Sequence, residues 1–180
     1  MNFPALTQTR QTPSPLGPML LAASPLGLCG VWFLDQKHFP PDAVLHAAQT
    51  VASAATRASD ASSPAQVWLS ETAQQLNHYF AGQRSHFDLP LDLSAGSVFQ
   101  QSVWHALLAI GRGQTESYGA LAARVGRPSA ARGVGAAVGR NPISIIVPCH
   151  RVVGSNGSLT GYAGGLPRKV ALLQLEGCLL

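Results

Sequence analysis

The sequence predicts a mixed α/β (α+β) protein of two domains. Residues 1–93 are expected to form a small antiparallel sheet with helices, and residues 94–180 a mainly helical domain. Three features indicate this organisation: a hairpin pattern near the start, a small-residue boundary at Ser94-Ala95-Gly96, and two short helical segments joined by a tight turn. Of the 180 residues, 46% are hydrophobic and 11% are charged, so each half has enough apolar side chains to bury a core.

The first domain is predicted to contain a hairpin and an edge strand. The runs Pro18–Ala23 and Leu28–Leu34 are strand-like, and Ser24-Pro25-Leu26-Gly27 between them favours a turn. Apolar and polar residues alternate from Phe87 to Leu93, which predicts a half-buried strand. Pro90 would place that strand at a sheet edge, because proline cannot donate a ladder hydrogen bond.

A helix is predicted between these strands. Ser63 can cap it, Pro64 suits its first position and Gln66 completes a capping box. Its buried stripe is predicted to consist of Leu69, Ala73, Leu76 and Phe80. Residues 47–63 are rich in Ala, Ser and Thr and predict a poorly ordered connection, preceded by a short helix after Pro41.

The second domain starts with a helix that Ser97 can cap. The buried face of this helix is predicted to consist of Phe99, Val103, Leu107 and Ile110. A short helix over Tyr118–Val125 and a tight turn at Gly126-Arg127-Pro128 follow. A further helix, capped by Ser129, then runs to about Gly139, and the pair matches the helix-turn-helix pattern.

The second helix of this pair is built from small residues. They are Ala130, Ala131, Gly133, Gly135, Ala136, Ala137 and Gly139. Only Arg132 and Arg140 project far from it. Each glycine costs roughly 1 kcal/mol of helix stability relative to alanine, so something should offset that cost. One interpretation is a tightly packed core helix, and the other is a helix lying against DNA with Arg132 reaching into the duplex.

The charge distribution favours the DNA interpretation. Residues 1–93 carry four basic and six acidic side chains, a net charge of −2, whereas residues 94–180 carry eight basic and two acidic side chains, a net charge of +6. A basic half indicates a polyanionic partner. A solvated basic surface would give the same count, so charge alone does not decide.

Chemistry is predicted at Cys149. The apolar run Ile143–Val147 predicts a buried strand that Pro148 ends, which delivers the thiol at a turn beside His150 and Arg151. A nearby base or positive charge helps to form the nucleophilic thiolate. The alternative is that Cys149 is a small buried hydrophobe, as most lone cysteines are.

Two later segments can complete such a site. The loop Gly161-Tyr162-Ala163-Gly164-Gly165 can close over a small planar group, although many glycine-rich loops merely turn. A last helix, Leu166–Glu176, has Val170, Leu173 and a possible third residue, Leu172, as its predicted buried residues. It ends at Glu176, which is the only acid in the last sixty residues. Glu176 either orients His150 or is a solvated carboxylate at a helix end.

The three cysteines, Cys29, Cys149 and Cys178, show neither a disulfide framework nor a C-x-x-C pair. We therefore expect a reducing, cytoplasmic location. No run of apolar residues has the length of a signal peptide or a membrane span. No four-ligand set has zinc spacing, so no metal and no cofactor are predicted.

Several motifs together resemble one family. Pro148–Val152, Ser117–Ala122, Ala131–Gly135, Asn141-Pro142 and Gly161–Leu166 are similar, in order and spacing, to blocks of the O6-alkylguanine-DNA alkyltransferases, also called methylated-DNA–protein-cysteine methyltransferases. The resemblance extends from about residue 14 to 177. It implies a ribonuclease-H-like first domain and a winged-helix-like helix-turn-helix second domain that carries the active site.

The resemblance also implies direct-reversal DNA repair. A methyl or alkyl group would move irreversibly, once per molecule, from O6-alkylguanine in double-stranded DNA to Cys149, with O4-alkylthymine as a second candidate substrate. The recognition helix would lie in the minor groove of the duplex, while Tyr118 rotates the damaged nucleotide out and Arg132 fills the gap. The further DNA contacts implied are Ser129, Ala131, Gly135 and Arg140. The repair unit would be a monomer, with cooperative binding left open.

Within the base pocket, the resemblance assigns a role to each group. Backbone carbonyls of Cys149 and Val152 would accept from the exocyclic amine, and the Tyr118 hydroxyl would donate toward ring N3. The backbone N–H of Ala163 would donate toward O6. The remaining residues that the resemblance implies are Tyr162 and Arg151 in the base pocket, His150 acting through a water and held by Glu176, and Asn141 tying the recognition helix to the active-site strand.

Three rival functions remain at this stage. A binding module would recognise alkylated DNA without accepting the group, and relatives of that kind lack the cysteine. A Cys-His hydrolase would turn over repeatedly and would need an oxyanion hole. A helix-turn-helix regulator with a redox-sensing cysteine would need base-specific contacts, which a helix of glycine and alanine scarcely provides.

Overall fold

The computed structural model describes residues 4, 7–40 and 63–178. The helix predicted after Pro41 and the connection predicted before Ser63 fall outside the described residues. Contacts divide the chain into two compact units, one formed by Met1–Asp35 with Phe39–Ala95 and the other by Gln36–His38 with Gly96–Leu180.

The first unit contains a three-stranded antiparallel sheet in the order β1-β2-β3. The strands are β1 (Gln8–Thr12), β2 (Met19–Ser24) and β3 (Gly27–Phe33). The hairpin of β2 and β3 was predicted and is confirmed. Strand β1 was not predicted, because its sequence Gln-Thr-Arg-Gln-Thr has no apolar alternation and is recognised only by its pairing with β2. All residues of β2 and β3 are buried, so this part of the sheet is covered on both faces.

Helix α1 (Pro64–Phe80) contacts all three strands. Ser63 caps it, and both hydrogen bonds of the predicted capping box with Gln66 are present. The buried stripe includes Leu69, Ala73 and Leu76 as predicted. It ends at Tyr79, not Phe80, because Tyr79 is fully buried while Phe80 is partly exposed and packs edge-on to the Tyr79 ring at 5.5 Å.

The strand predicted over Phe87–Leu93 is wrong. This segment makes a single bridge, in which the Leu28 N–H donates to the Pro90 carbonyl and the Asp92 N–H donates to the Leu28 carbonyl, each at 2.8 Å. Pro90 has no N–H to continue a ladder, and the buried Asp92 carboxylate accepts from the hydroxyls of Ser24 and Ser94, each at 2.6 Å. The alternating pattern therefore reflects a packed extended segment and not a paired strand.

The second unit contains helices and two short strands. They are α2 (Val98–Leu108), β4 (Glu116–Ser117), α3 (Tyr118–Arg124), α4 (Ala131–Gly139), a 3-10 turn (Cys149–Arg151), β5 (Val152–Val153) and α5 (Leu166–Leu175). Helices α2, α3 and α4 pack against one another. The predicted mixed α/β class is therefore confirmed.

Trp104 locks α2 against α4. Its side chain is fully buried, and its indole N–H donates to the Ala137 carbonyl at 2.9 Å. A Cβ at Gly96 would lie 2.2 Å from the Trp104 ring, so this position requires glycine. Phe99, predicted on the buried face, is partly exposed, and Trp104 takes its place in the core beside Val103 and Leu107.

Ser129 does not cap α4. The N-cap residue is Ala130, with no side-chain cap hydrogen bond, and Ser129 is exposed in the preceding turn. By contrast, Ser117 caps α3 and accepts from the Ala120 N–H at 3.1 Å. The tight turn after α3 was predicted, and Gly126 adopts a φ of 71° there.

Candidate active site

The buried segment before the thiol is organised by one side chain, that of Asn141. Its Nδ2 atom donates to the carbonyls of Val147 at 2.8 Å and Ile143 at 3.3 Å, and its Oδ1 atom accepts from the Ile143 N–H at 3.0 Å. The strand predicted over Ile143–Val147 is therefore wrong, since these residues form consecutive turns around the Asn141 amide. The apolar run was correctly expected to be buried, but a side chain satisfies backbone groups that a strand would pair.

These turns place Ile145 in the left-handed region, with φ of 72°. A β-branched residue is rarely found there, and such a conformation costs on the order of 1 to 3 kcal/mol. Ile145 is almost fully buried, and the hydrogen bonds of Asn141 close the turn on either side of it. The strained residue therefore lies four positions before the thiol and is held by the surrounding contacts.

Cys149 is the first residue of the 3-10 turn and is 4% exposed. Asn141 Nδ2 donates to its sulfur at 3.1 Å, and its own N–H donates to the Val147 carbonyl at 2.8 Å. Burial raises the pKa of the Cys149 thiol, while the Asn141 hydrogen bond and the positive charge of Lys169 oppose this rise. The thiol is therefore neutral at rest, but the thiolate has a hydrogen-bond donor and a cation beside it.

Lys169 was not anticipated from the sequence. Its side chain, on α5, is fully buried, and Nζ donates to the carbonyls of Val152 at 2.5 Å and Thr160 at 2.8 Å. Burial lowers the pKa of Lys169 to about 8, and the negative charge of a Cys149 thiolate acts in the opposite direction by raising it. The sequence signal for Lys169 was its helical spacing from Leu172, Leu173 and Glu176. All four residues are buried, whereas Val170, which was predicted to be buried, is only partly so.

His150 and Glu176 are in contact, as the sequence predicted. The His150 Nε2 atom lies 3.0 Å from Glu176 Oε1, and both side chains are fully buried. Burial lowers the pKa of His150, and the Glu176 carboxylate acts in the opposite direction. The other ring nitrogen, Nδ1, is buried and has no hydrogen-bond partner among the described residues.

The guanidinium group of Arg151, a residue expected in the base pocket, binds the Glu176 carboxylate. Its Nε and NH2 atoms donate to the two oxygens of Glu176, each at 2.8 Å, and its NH1 atom donates to the Ile110 carbonyl. All three guanidinium nitrogens are therefore committed to protein partners. The physical reason is Glu176, a buried carboxylate that needs a positive partner.

Tyr118 is brought toward the thiol by the pairing of β4 with β5. In this parallel pair Glu116 lies opposite Val152 and Ser117 opposite Val153. Tyr118 directly follows β4, and Val152 directly follows the 3-10 turn that begins at Cys149. The Tyr118 hydroxyl donates to the Gly161 carbonyl at 3.4 Å. Burial raises the pKa of Tyr118, and the Cys149 charge adds to this rise.

The glycine-rich loop contributes Tyr162 and Ala163. The Tyr162 hydroxyl is buried and has no hydrogen-bond partner among the described residues, and burial raises its pKa well above the ordinary value. The Ala163 carbonyl accepts from the Lys37 N–H at 2.9 Å. Two hydrogen bonds to loop carbonyls therefore hold the loop: the Tyr118 hydroxyl donates to Gly161, and the Lys37 N–H donates to Ala163.

The three glycines of α4 are not demanded by packing within the described part of the protein. Among the described residues, a Cβ at Gly133 would meet only Phe99, at 4.0 Å, a Cβ at Gly135 would meet the Tyr118 ring at 3.6 Å, and a Cβ at Gly139 would meet nothing within 4 Å. Arg132, Gly133, Ala136 and Arg140 are exposed, Ala131, Gly135 and Gly139 are partly buried, and Val134, Ala137 and Val138 face the core. This disfavours the tightly packed core helix.

The described residues hold no group of three His, Cys, Asp or Glu side chains arranged to bind a metal ion. Across residues 4, 7–40 and 63–178, no helix combines the length and apolarity needed to cross a bilayer.

Two family models match the chain. Residues 9–93 match the ribonuclease-like domain of 6-O-methylguanine DNA methyltransferase, and residues 98–178 match its DNA binding domain. The chain belongs to this family. The resemblance seen in the sequence motifs is thereby confirmed.

Members of the family from distant organisms are similar over most of their length. The methylated-DNA–protein-cysteine methyltransferase of Mycobacterium tuberculosis is 46% identical over 167 residues, covering 93% of this chain and 90% of that protein. The protein of the same name from Methanosarcina acetivorans is 44% identical over 166 residues, covering 91% and 94%. A crystal structure of Mycobacterium tuberculosis OGT in complex with DNA superposes with a TM-score of 0.74, at 45% identity and covering 94% of this chain and 92% of that chain.

The structure brings several of the predicted site residues into contact. Asn141 contacts Cys149, His150 contacts Glu176, and Tyr118 contacts the glycine-rich loop. Arg151 also binds Glu176, and Lys169 is the residue that sequence reasoning missed. Ser129, Arg132 and Arg140 lie apart on the exposed surface around α4.

Proposed function

We propose that Cys149 is the single-use alkyl acceptor of this chain. Family membership assigns the chain to DNA repair by alkyl transfer from O6-alkylguanine to a protein cysteine. The observation that carries the choice of Cys149 is the Asn141 donor 3.1 Å from its sulfur, with the Lys169 cation acting on the same atom. Cys29 is disfavoured, because burial raises its pKa to about 12.

The proton of Cys149 leaves during the reaction. The thiol is neutral at rest because burial raises its pKa, so a base must take the proton as the sulfur attacks. We assign that role to Nδ1 of His150, reached through one water molecule. This assignment is supported by Nδ1, which is buried and has no hydrogen-bond partner among the described residues, while Nε2 is held by Glu176.

The transfer is a nucleophilic displacement at the alkyl carbon. The thiolate sulfur forms a bond to the alkyl carbon, the carbon–O6 bond breaks, and its electron pair stays with the guanine, which then takes up a proton. The thioether has no leaving group of comparable quality, so the protein is not regenerated. One molecule of protein therefore repairs one lesion.

The flipped guanine is proposed to lie between the Cys149 turn and the glycine-rich loop. The carbonyls of Cys149 and Val152 accept from its exocyclic amine, and the Ala163 N–H donates to O6. Tyr118 donates to ring N3 as negative charge develops there. Two features support this proposal: Lys169 anchors the Val152 carbonyl, and Tyr118 already contacts the loop through Gly161.

Helix α4 is proposed to enter the minor groove of double-stranded DNA. Its exposed glycine and alanine surface admits the duplex, and Arg132 occupies the space that the flipped nucleotide leaves. The neighbouring residues Ser129, Ala131, Gly135 and Arg140 make further contacts with the DNA. The chain acts as a monomer in the cytoplasm, where a thiol stays reduced.

The deciding experiment is stoichiometric transfer from an O6-methylguanine oligonucleotide, followed by peptide mapping. We expect a gain of one methyl group on Cys149 and exhaustion after about one event per molecule. Cys149→Ser should keep DNA binding and lose transfer, whereas Cys178→Ser, at a partly buried thiol, should keep both.

Each rival predicts a different result in the same assay. Tight binding with no gain of mass would indicate a binding module, and repeated turnover would indicate a hydrolase. Transfer retained by Cys149→Ser would reassign the acceptor. Arg132→Ala should weaken repair of duplex DNA more than reaction with the free base, and equal losses would remove Arg132 from the flipping step.

A further inference from the structure

We propose that Arg151 is a positioning residue that holds Glu176 and keeps His150 neutral, so that Nδ1 of His150 is free to accept the thiol proton. The inference rests on the proposed function and adds to it a residue outside the sulfur–imidazole–carboxylate chain. It is carried by a buried cluster of three charged or titratable side chains, Arg151, Glu176 and His150.

The contacts of Arg151 fix Glu176 from two sides. Nε donates to Oε2 and NH2 donates to Oε1, both at 2.8 Å, which is the two-point geometry that a guanidinium forms with a carboxylate. NH1 donates to the Ile110 carbonyl, so the cation itself is anchored near the end of α2. The side chain of Glu176 is fully buried and that of Arg151 is 9% exposed, so solvent screens this pair weakly.

This arrangement decides which nitrogen of His150 is the base. A carboxylate oxygen only accepts hydrogen bonds, so the Nε2 atom 3.0 Å from Oε1 carries the ring proton. In the neutral ring the lone pair is then on Nδ1, which has no partner in the described part of the chain. Because the same Oε1 also accepts from Arg151, the ring orientation and the cation are coupled.

The charge of Arg151 also controls whether that lone pair exists. Glu176 and Lys169 face the ring from α5, and Arg151 and Cys149 face it from its own turn. Burial, Arg151 and Lys169 all lower the pKa of His150, and Glu176 raises it. Without Arg151, an unbalanced buried carboxylate would favour the imidazolium, which has no lone pair on Nδ1.

The test is the pH dependence of methyl transfer in Arg151→Met, which removes the charge and keeps an apolar side chain. Second-order rates with an O6-methylguanine oligonucleotide are measured from about pH 5 to 9, and the His150 ring is titrated by NMR. We expect the acid limb of the rate and the His150 titration to move up together, by about 1 to 3 pH units, with the rate recovering at high pH. Arg151→Lys, which keeps the charge, should remain nearer the wild type.

An equal fold-loss at every pH would overturn the inference, since that is the behaviour of a merely structural residue. Arg112→Met is the matched control, because Arg112 donates to the carbonyl of Leu175, the last residue of α5. The acid limb of this variant should not move. If Arg151→Met does not fold, Arg151→Met/Glu176→Gln removes both charges together. Its acid limb should stay at or below that of the wild type, and an upward shift would contradict the proposal.

The two proposals fail separately. A wild-type protein that gains no methyl group on Cys149 contradicts the proposed function. A wild-type protein that is methylated normally, with an unshifted limb in Arg151→Met, contradicts only the role of Arg151.

Discussion

At the scale of single residues, the site combines a thiol that resists ionisation with neighbours that favour its ionised form. Burial raises the pKa of Cys149, and Asn141 and Lys169 lower it. Lys169 also joins two segments, because its Nζ binds the carbonyls of Val152 and Thr160. A buried lysine with two carbonyl partners is therefore both an electrostatic and a positional component of the site.

Replacing Lys169 with methionine tests the electrostatic part. The pKa of Lys169 is about 8, so the side chain is charged at neutral pH, and its loss removes a group that stabilises the thiolate. We expect the fraction of Cys149 thiolate to fall at neutral pH, where the wild-type lysine is charged, so that alkylation by iodoacetamide at that pH is slower than in wild type. The difference should narrow above about pH 8, where the wild-type lysine loses its own charge.

Arg168→Met is the control for that experiment. Arg168 precedes Lys169 on α5, and its NH1 atom donates to the Gly164 carbonyl. Its removal should leave the rate of Cys149 alkylation at neutral pH nearly unchanged. The same rate at neutral pH in wild type and Lys169→Met would show that Lys169 serves only to connect the two segments.

The sequence predicts some of these residues and misses others for physical reasons. The contact of His150 with Glu176 was one of two alternatives that the residues left open, and the family resemblance implied it. Lys169 was missed because lysine is expected at the surface, and Arg151 was misplaced because its partner depends on where α5 ends. Which cation pairs with which carboxylate is decided by tertiary geometry.

At the scale of the elements, two serines show how local sequence and structure diverge. Both Ser117 and Ser129 precede short helices and both suit a cap position. Ser117 has the extended backbone of an N-cap, with a φ of −78° and a ψ of 153°, and accepts from the Ala120 N–H, whereas the N-cap of α4 is Ala130. Ser129 lies one residue too early, because the tight turn before α4 ends at Ala130.

We expect Ser117→Ala to lower the free energy of unfolding by about 1 kcal/mol, the usual value of a side-chain cap. Chemical denaturation measures this change directly. Ser129→Ala is the matched control and should leave stability nearly unchanged, since its hydroxyl caps nothing. Equal losses in the two variants would contradict the assignment of the caps.

The glycines of α4 allow the two interpretations of that helix to be separated. In Gly133→Ala and Gly135→Ala, the added Cβ meets no atom closer than 3.6 Å, and alanine favours the helix by about 0.5 to 1 kcal/mol. We therefore expect each variant to unfold at a higher denaturant concentration but to bind duplex DNA more weakly, because the added methyl group occupies the surface proposed to meet the groove. Denaturation and fluorescence anisotropy measure the two effects.

Gly126→Ala is the control in that series, because its stability should change in the opposite direction. Gly126 has a φ of 71°, so alanine there should destabilise the protein. A loss of stability in the two α4 variants would restore the interpretation of a tightly packed core helix. A gain of stability with unchanged affinity would remove α4 from the DNA surface.

Elements with their own caps were predicted well, and elements that depend on distant partners were not. The capping boxes at Ser63 and Ser97 mark the starts of α1 and α2 correctly. The apolar run Ile143–Val147 and the alternating segment Phe87–Leu93 both predict strands, because burial gives the same pattern whether the backbone is paired by a strand or by a side chain. Asn141 and Pro90 decide these cases.

At the scale of the whole molecule, the uneven charge distribution is the feature most relevant to DNA. Of the eight basic side chains in residues 94–180, Arg124 and Arg151 pair with the two acidic residues, and Lys169 is buried. Arg127, Arg132 and Arg140 are exposed around α4. Both pairs are already subtracted in the net charge of +6, so of these three residues only the buried Lys169 lowers the charge available for phosphates, and the exposed arginines are the main source of that charge.

This bears on how binding to DNA varies with salt. Each phosphate neutralised by a basic side chain releases counterions and adds about −0.9 to the slope of log K against log salt concentration. We expect Arg127→Ala and Arg140→Ala to reduce the magnitude of that slope by about 1 each and to weaken binding to all duplexes alike. Arg124→Ala is the control, because Arg124 is already paired with Glu116 at 2.5 Å and should change the slope less. If Arg124→Ala reduces the slope as much as the other two variants, the basic surface is spread over the unit and is not concentrated around α4.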